Sequence, residues 1–96
     1  MSQLRLTPKA RADLHAIWDY TALHWGEEQA EAYLLSLGET MQLLAKQPGL
    51  GRTIDDIRKG YFNFPAASHI FIFRLAPGAI EIIRILHKSM DVERHL

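Results

Sequence analysis

Three histidines lie in the second half of the chain, and histidine is a common residue for acid–base chemistry and zinc binding. The spacing of His69, His87 and His95 matches no metal-ligand pattern, and no cysteine is present to complete a zinc site. We therefore predict neither a metal nor a cofactor. His87 and Asp91 would come close on a helical turn, so an acid–base pair stays open beside a second interpretation, in which Ser89 and Asp91 cap that turn.

Basic side chains in the same half would bind a phosphate group if the fold brought them together. They are Arg58, Lys59, Arg74, Arg84 and Lys88. The chain has neither a glycine-rich phosphate loop nor the strained serine turn of hydrolases. A phosphate site is thus open, but no residue is assigned a catalytic role.

Composition limits the classes of protein to consider. The 96 residues, 48% of them hydrophobic, suit one domain over residues 1–96 with a real core. The absence of cysteine fits a reducing cytoplasm, and no stretch resembles a signal peptide or a membrane span. A net charge of zero and a pI near 7.0 argue against a broad nucleic-acid footprint. We expect a cytoplasmic protein with no membrane contact and no sequence-specific nucleic-acid binding of its own.

The first half of the chain predicts a helical hairpin. Thr7 and Pro8 form a good helix start, and Gly26 predicts its end as a left-handed cap. Glu27 suits the start of a second helix, which Pro48 would stop. The first apolar stripe is Ala10, Leu14, Ile17, Trp18, Thr21 and Trp25, and the second is Ala30, Tyr33, Leu34, Leu37, Met41 and Leu44.

The second half predicts an antiparallel meander of three strands. The segments "YFNFP", "SHIFIFRL" and "AIEIIRIL" are rich in aromatic and β-branched residues, and "APGA" predicts a hairpin turn. The turn places Arg74 opposite Glu81, Phe73 opposite Ile82, and two isoleucine pairs on the other face, Ile72 with Ile83 and Ile70 with Ile85. With "LRL" at residues 4–6 as a further strand, the fold class is α+β.

Both faces of this hairpin are apolar, whereas the two helices would cover only one. A second covering is needed because an open isoleucine face promotes aggregation. It would come from a partner protein, from a second copy, or from the chain's own loop 49–60 and terminal tail. In the second helix, Leu35 and Leu43 also lie opposite the main stripe, which indicates either scattered surface residues or a helix in contact on two sides.

Several segments together resemble ParE-type toxins of the RelE/ParE superfamily, the toxins of type II toxin–antitoxin modules. They are "LTPKARADLHAIWDYTALHWGEEQAEAYLLSL", "KQPGLGR", "GYFNFPAASHIFIFRL" and "IEIIRILHKSMDVERHL", in this order over nearly the whole chain. The resemblance implies the same α+β fold of strand, helical hairpin and meander. It also implies a toxin that inhibits DNA gyrase and is held inactive, in a hetero-oligomer, by an antitoxin that wraps its surface.

With this resemblance, the apolar faces and the polar C-terminal corner of the chain give two sets of expected contact residues, although the corner would be either a target contact or a surface masked by the antitoxin. For the antitoxin they are Trp18, Leu35, Leu43, Ile70, Ile72, Ile83 and Ile85. For the target and toxicity they are Arg74, Arg84, His87, Met90, Asp91 and Arg94.

The RelE branch of the superfamily implies an alternative, ribosome-dependent cleavage of messenger RNA. Such cleavage needs a base, an acid and positive charge at the scissile phosphate. Here only His87 with Arg74 or Arg84 would serve, and the last tyrosine is Tyr61. We therefore expect a toxin that acts without chemistry of its own.

Overall fold

The computed structural model describes residues 3–96, which form two helices packed on one face of a five-stranded sheet. The α+β prediction is confirmed, with one short extra strand before the meander. In chain order the elements are β1 (Gln3–Leu6), α1 (Pro8–Trp25), α2 (Glu27–Lys46), a 3₁₀ turn (Pro48–Leu50), β2 (Arg52–Thr53), β3 (Tyr61–Ala66), β4 (His69–Ala76), β5 (Ala79–His87) and a second 3₁₀ turn (Val92–His95). None of the helices within residues 3–96 is long and apolar enough to cross a membrane.

The residue that caps the start of α1 also forms a hydrogen bond to the sheet. The Thr7 hydroxyl oxygen accepts the Ala10 N–H at 3.0 Å and donates to the Ile83 carbonyl at 2.7 Å. Pro8 occupies the first turn, as predicted. Gly26 ends α1 at φ +95°, a conformation that favours glycine, although its ψ of 160° is extended rather than left-handed helical. Gly26 therefore ends α1 and directly precedes the first residue of α2.

The sheet has the order β1-β5-β4-β3-β2, with β1 parallel to β5 and all other neighbours antiparallel. The two-residue turn at Pro77 and Gly78 joins β4 to β5, and Arg74 pairs with Glu81 as predicted. Phe73 pairs with Ile82, also as predicted. The sequence therefore predicts correctly the strand pairing in the half of this hairpin nearest its turn.

Beyond Phe73 the predicted register is wrong, because β5 contains a bulge at Ile83. Ile72 pairs with Arg84 rather than Ile83, and Ile70 pairs with Leu86 rather than Ile85. An extra residue in one strand turns every following side chain to the opposite face. Ile85 consequently faces the helices.

The structure has an apolar core on each face of the sheet. The core under the helices is built on Phe71, Phe73, Ile80, Ile82 and Ile85 from the sheet. The core on the opposite face has Ile54, Ile72 and Leu86 at its centre. Residues packed around that second centre are Tyr61, Ile70, Ile83, Val92 and Leu96.

Of the three coverings considered for the second sheet face, the second core shows the chain's own loop and tail. Ile54 comes from the loop after β2, and Val92 and Leu96 come from the tail (residues 88–96), so the chain covers much of this face itself. Ile72 and Ile85 are both buried within the chain, the first under this covering and the second under the helices. Neither side chain is available at the surface for an antitoxin, while Ile70 and Ile83 remain half-buried.

Candidate functional site

Arg84, predicted as a target contact, is held inside the fold by Asp13 of α1. Its Nε donates to Asp13 Oδ2 at 2.8 Å and its Nη2 donates to Oδ1 at 2.9 Å. Asp13 Oδ2 also accepts the Ile85 N–H at 2.9 Å, and Arg84 Nη1 donates to the His95 carbonyl at 2.9 Å. Donation of hydrogen bonds to the Asp13 carboxylate raises the pKa of the Arg84 guanidinium above its ordinary value. Arg84 therefore joins α1, β5 and the tail.

The basic residues considered for phosphate binding do not form one cluster of free charges. Arg74 donates from Nε to Glu81 at 2.7 Å, and this hydrogen bond raises the pKa of Arg74. Arg58 lies over the ring of Tyr61, with its guanidinium carbon 5.1 Å from the ring centroid. Arg84 is paired with Asp13. The structure thus assigns partners to three of the five side chains.

Two of the histidines meet across the sheet, and one of them, His69, contacts a tyrosine of α2. His69 pairs with His87, and their rings lie edge to face with centroids 5.4 Å apart. Tyr33 Oη lies 2.6 Å from His69 Nδ1 and accepts the Ser68 N–H at 3.1 Å. The Tyr33 hydroxyl and His69 Nδ1 are therefore hydrogen-bonded, in a direction that depends on the tautomer of the imidazole. Sequence analysis missed Tyr33, which looks like an ordinary member of an apolar stripe.

The surroundings of His69 favour its neutral form. Burial lowers the pKa of this imidazole below its ordinary value of 6.5, and the nearby His87 lowers it further. Asp13 acts in the opposite direction, less strongly.

The acid–base pair of His87 and Asp91 does not form. His87 Nδ1 lies 2.7 Å from Ser89 Oγ, and Asp91 Oδ1 accepts the Glu93 N–H at 3.1 Å. Asp91, rather than Ser89, therefore caps the turn at residues 92–95. Met90, Asp91 and Arg94 are exposed, so the tail presents them at the surface. Across residues 3–96, no three His, Asp or Glu side chains converge as metal ligands.

The outer side of α2 presents an apolar groove. Leu35 is 61% exposed and Leu43 is 40% exposed, and both line a groove of about 540 Å³ along the helix. Gly38 opens its middle, because a Cβ built there would meet no atom within 4 Å. The remaining lining residues are Leu34, Glu39, Gln42 and Lys46.

The end of α1 is more exposed than its predicted stripe implies. Trp25 is 71% exposed and Trp18 is 36% exposed, although both belong to the predicted apolar stripe. Tyr20 and Leu23 are also exposed. The helical period alone therefore does not decide burial at this end of α1.

The chain matches the family model described as the ParE toxin of type II toxin–antitoxin system, parDE, over residues 4–92. It is 43% identical over 96 residues to toxin ParE1 of Mycobacterium tuberculosis, covering 99% of this chain and 98% of the relative. It is 40% identical to toxin ParE1 of Caulobacter vibrioides, covering 100% and 99% of the two chains.

Two solved structures are similar in fold. A chain of the chromosomal ParDE TA system from P. aeruginosa has a TM-score of 0.80 and 27% identity, covering 91% of this chain and 96% of that one. A chain of the toxin–antitoxin complex RelBE2 from Mycobacterium tuberculosis has a TM-score of 0.67 and 20% identity, covering 91% and 98%. The second likeness shows the shared fold alone.

Proposed function

The chain belongs to the ParE toxin family of type II toxin–antitoxin systems, and from this premise we propose that it inhibits DNA gyrase and is held inactive by a cognate antitoxin. The observation that carries the proposal is the similarity to ParE1 toxins along essentially the full length of both chains. We take residues 1–96 as one toxin domain that acts in the cytoplasm, where gyrase lies.

The groove on α2 is the proposed binding site of the antitoxin. Leu35 and Leu43 present apolar surface on a helix whose other side is already packed on the sheet and α1. Apolar side chains in such a groove suit an amphipathic helix of a partner. The similarity to a chain of the chromosomal ParDE TA system from P. aeruginosa supports a partner of this kind. Trp18, Ile70 and Ile83 are additional proposed contacts, since each keeps part of its surface exposed.

Inhibition without chemistry is supported by the partners of the two candidate arginines. Cleavage of RNA would require positive charge that is free to stabilise the scissile phosphate. Arg84 is bound by Asp13, and Arg74 is bound by Glu81. His87, the remaining candidate acid or base, has its Nδ1 against Ser89. The proposed contacts with gyrase are the exposed His87, Met90, Asp91 and Arg94 together with Arg74.

Inducible expression of the chain in a bacterium tests the proposal. We expect growth to stop and a DNA-damage reporter to rise while incorporation of labelled amino acids continues, and we expect co-expression of the antitoxin to restore growth. Purified chain should block supercoiling by gyrase, and prior addition of antitoxin should relieve the block. An early collapse of translation with ribosome-dependent message cleavage would instead support the endonuclease alternative.

A further inference from the structure

The sheet face that carries the second core has a part that the tail does not cover. Next to the tail lies an open groove of about 680 Å³ at the β2–β3 edge, here called the edge groove. Its apolar lining is Leu50, Phe64, Pro65 and Ile70. β2 begins at Arg52, opposite Asn63, so no strand lies beside Phe64 and Pro65 and the groove opens there.

Two basic side chains stand at different ends of the edge groove. Arg52 pairs with Asn63 in the β2–β3 ladder. Lys88 lies at the other end, since its N–H donates to the Ser68 carbonyl at the turn between β3 and β4. Pro65 and Ile70, which pair with each other, occupy the ladder between these positions. The groove therefore consists of an apolar middle with a cation toward each end.

Neither cation is neutralised within the described part of the chain. The ion pairs formed among residues 3–96 join Arg74 to Glu81 and Arg84 to Asp13. Arg52 and Lys88 are both exposed. Two separate positive charges flanking apolar surface are complementary to carboxylates that flank an apolar side chain.

The open edge of β3 limits how a ligand can bind. The Tyr61 carbonyl accepts the Ile54 N–H, so alternate residues of β3, including Pro65, direct their backbone groups outward. Proline has no N–H to donate, and it is a common device against added strands at sheet edges. Strand addition by a second copy of the chain is therefore disfavoured, and recognition must come mainly from side chains.

We propose that the edge groove binds an extended acidic segment of the antitoxin, separate from the segment seated on α2. Carboxylates of that segment pair with Arg52 and Lys88, and an apolar side chain between them packs on Pro65 and Ile70. This inference rests on the proposed function, because it assumes an antitoxin. It adds a second contact on the opposite side of the sheet from α2.

Charge reversal at the two ends of the edge groove tests the proposal. The test variant is Arg52→Glu with Lys88→Glu. The control is Lys9→Glu with Arg11→Glu, which makes the same change of charge at two exposed positions of α1, on the helix side of the sheet. Calorimetric titration with purified antitoxin at low and moderate salt measures affinity, and thermal unfolding checks that all proteins are equally folded.

We expect the groove variant to lose about 10- to 100-fold in affinity and to show a weaker salt dependence, with the control unchanged. Antitoxin binding should also slow amide hydrogen exchange in residues 62–70 of the unaltered chain, and less so in the groove variant. Equal affinities of the groove variant and the control would overturn the proposal.

A groove variant that binds antitoxin normally but no longer arrests growth would also overturn it, by assigning the groove to the target instead. If the unaltered chain fails to bind the antitoxin at all, the proposed function fails first. If only the edge-groove proposal is wrong, the unaltered chain still binds the antitoxin. The two failures are therefore distinguishable.

Discussion

Asp13 and Arg84 are joined by two parallel hydrogen bonds across 71 positions of the sequence. The same carboxylate accepts the Ile85 N–H, and the same guanidinium donates to the His95 carbonyl. Beyond Ile82 the edge of β5 has no further pairing with β1, and Thr7 and Asp13 bind its backbone there instead. This relationship closes one sheet edge and fixes the tail in place.

Replacing Asp13 by alanine should destabilise the fold strongly. The change leaves a half-buried guanidinium and the Ile85 N–H without their acceptor, which we expect to lower the free energy of unfolding by about 2–4 kcal/mol. Urea denaturation followed by circular dichroism measures the loss. Asp19→Ala, at an exposed position of the same helix, is the control and should change stability little. Similar midpoints for the two variants would contradict a structural role for the pair.

Deleting residues 92–96 should expose the second core. Val92 and Leu96 pack around Ile72 and Leu86, so their loss removes apolar burial of about 2–4 kcal/mol and the Arg84 contact to His95. We expect a lower urea midpoint and new binding of a hydrophobic dye. Glu93→Ala, which changes an exposed tail residue, is the control. An unchanged midpoint in the deletion would show that the tail is dispensable for folding.

Stability should fall in mildly acidic solution because of His69. Burial and His87 lower the folded-state pKa of His69, so the unfolded chain binds a proton more readily than the folded chain. The contribution of this group is complete above the unfolded pKa, about 6.5, and is lost as the pH falls from there toward the folded value.

The measurement is the free energy of unfolding between pH 7.5 and pH 5 for the chain and for His69→Asn. The difference between the two profiles isolates His69 from the other histidines. We expect the slope to be smaller in the variant. Parallel profiles would show that His69 does not titrate differently in the two states.

Charged residues in the α2 groove should weaken antitoxin binding. Leu35→Asp with Leu43→Asp places carboxylates on an exposed apolar surface, so the fold should survive while affinity falls by about 100-fold or more. Gln29→Asp, at an exposed position near the start of α2, is the control. Calorimetric titration with the antitoxin checks the prediction, which unchanged affinity in the double variant would contradict.

Gly51 should not tolerate even a methyl group. A Cβ on Gly51 would lie 2.3 Å from Cζ of the buried Phe73, whereas a Cβ on Gly49 would meet no atom within 4 Å. Because the Phe73 ring is enclosed, we expect Gly51→Ala to cost about 1–3 kcal/mol of stability. Gly49→Ala is the matched control. Equal unfolding midpoints would show that the ring and β2 adjust freely.

Much of the fold and less of the candidate site could be predicted from the sequence. The cap at Thr7, the helix ends at Gly26 and Pro48, and the pairing of Arg74 with Glu81 depend on neighbours close along the chain. The exposure of Leu35 and Leu43 followed from the helical period. Family resemblance, carried by segments spread over the chain, also required no coordinates and is confirmed by the match over residues 4–92.

Other features were decided only by the tertiary structure. The bulge at Ile83 exchanged the faces of Ile85 and Leu86, and a pattern of consecutive apolar residues contains no sign of such a shift. The burial of Ile72 required loop and tail to fold over it. The pairs of Asp13 with Arg84 and Tyr33 with His69 join residues far apart in sequence, where the choice of partner depends on how the elements pack. Local periodicity and capping thus determined the helices, the meander and its turn. Long-range packing determined which side chains remain exposed for a partner, because the burial of a residue depends on every segment that folds against it.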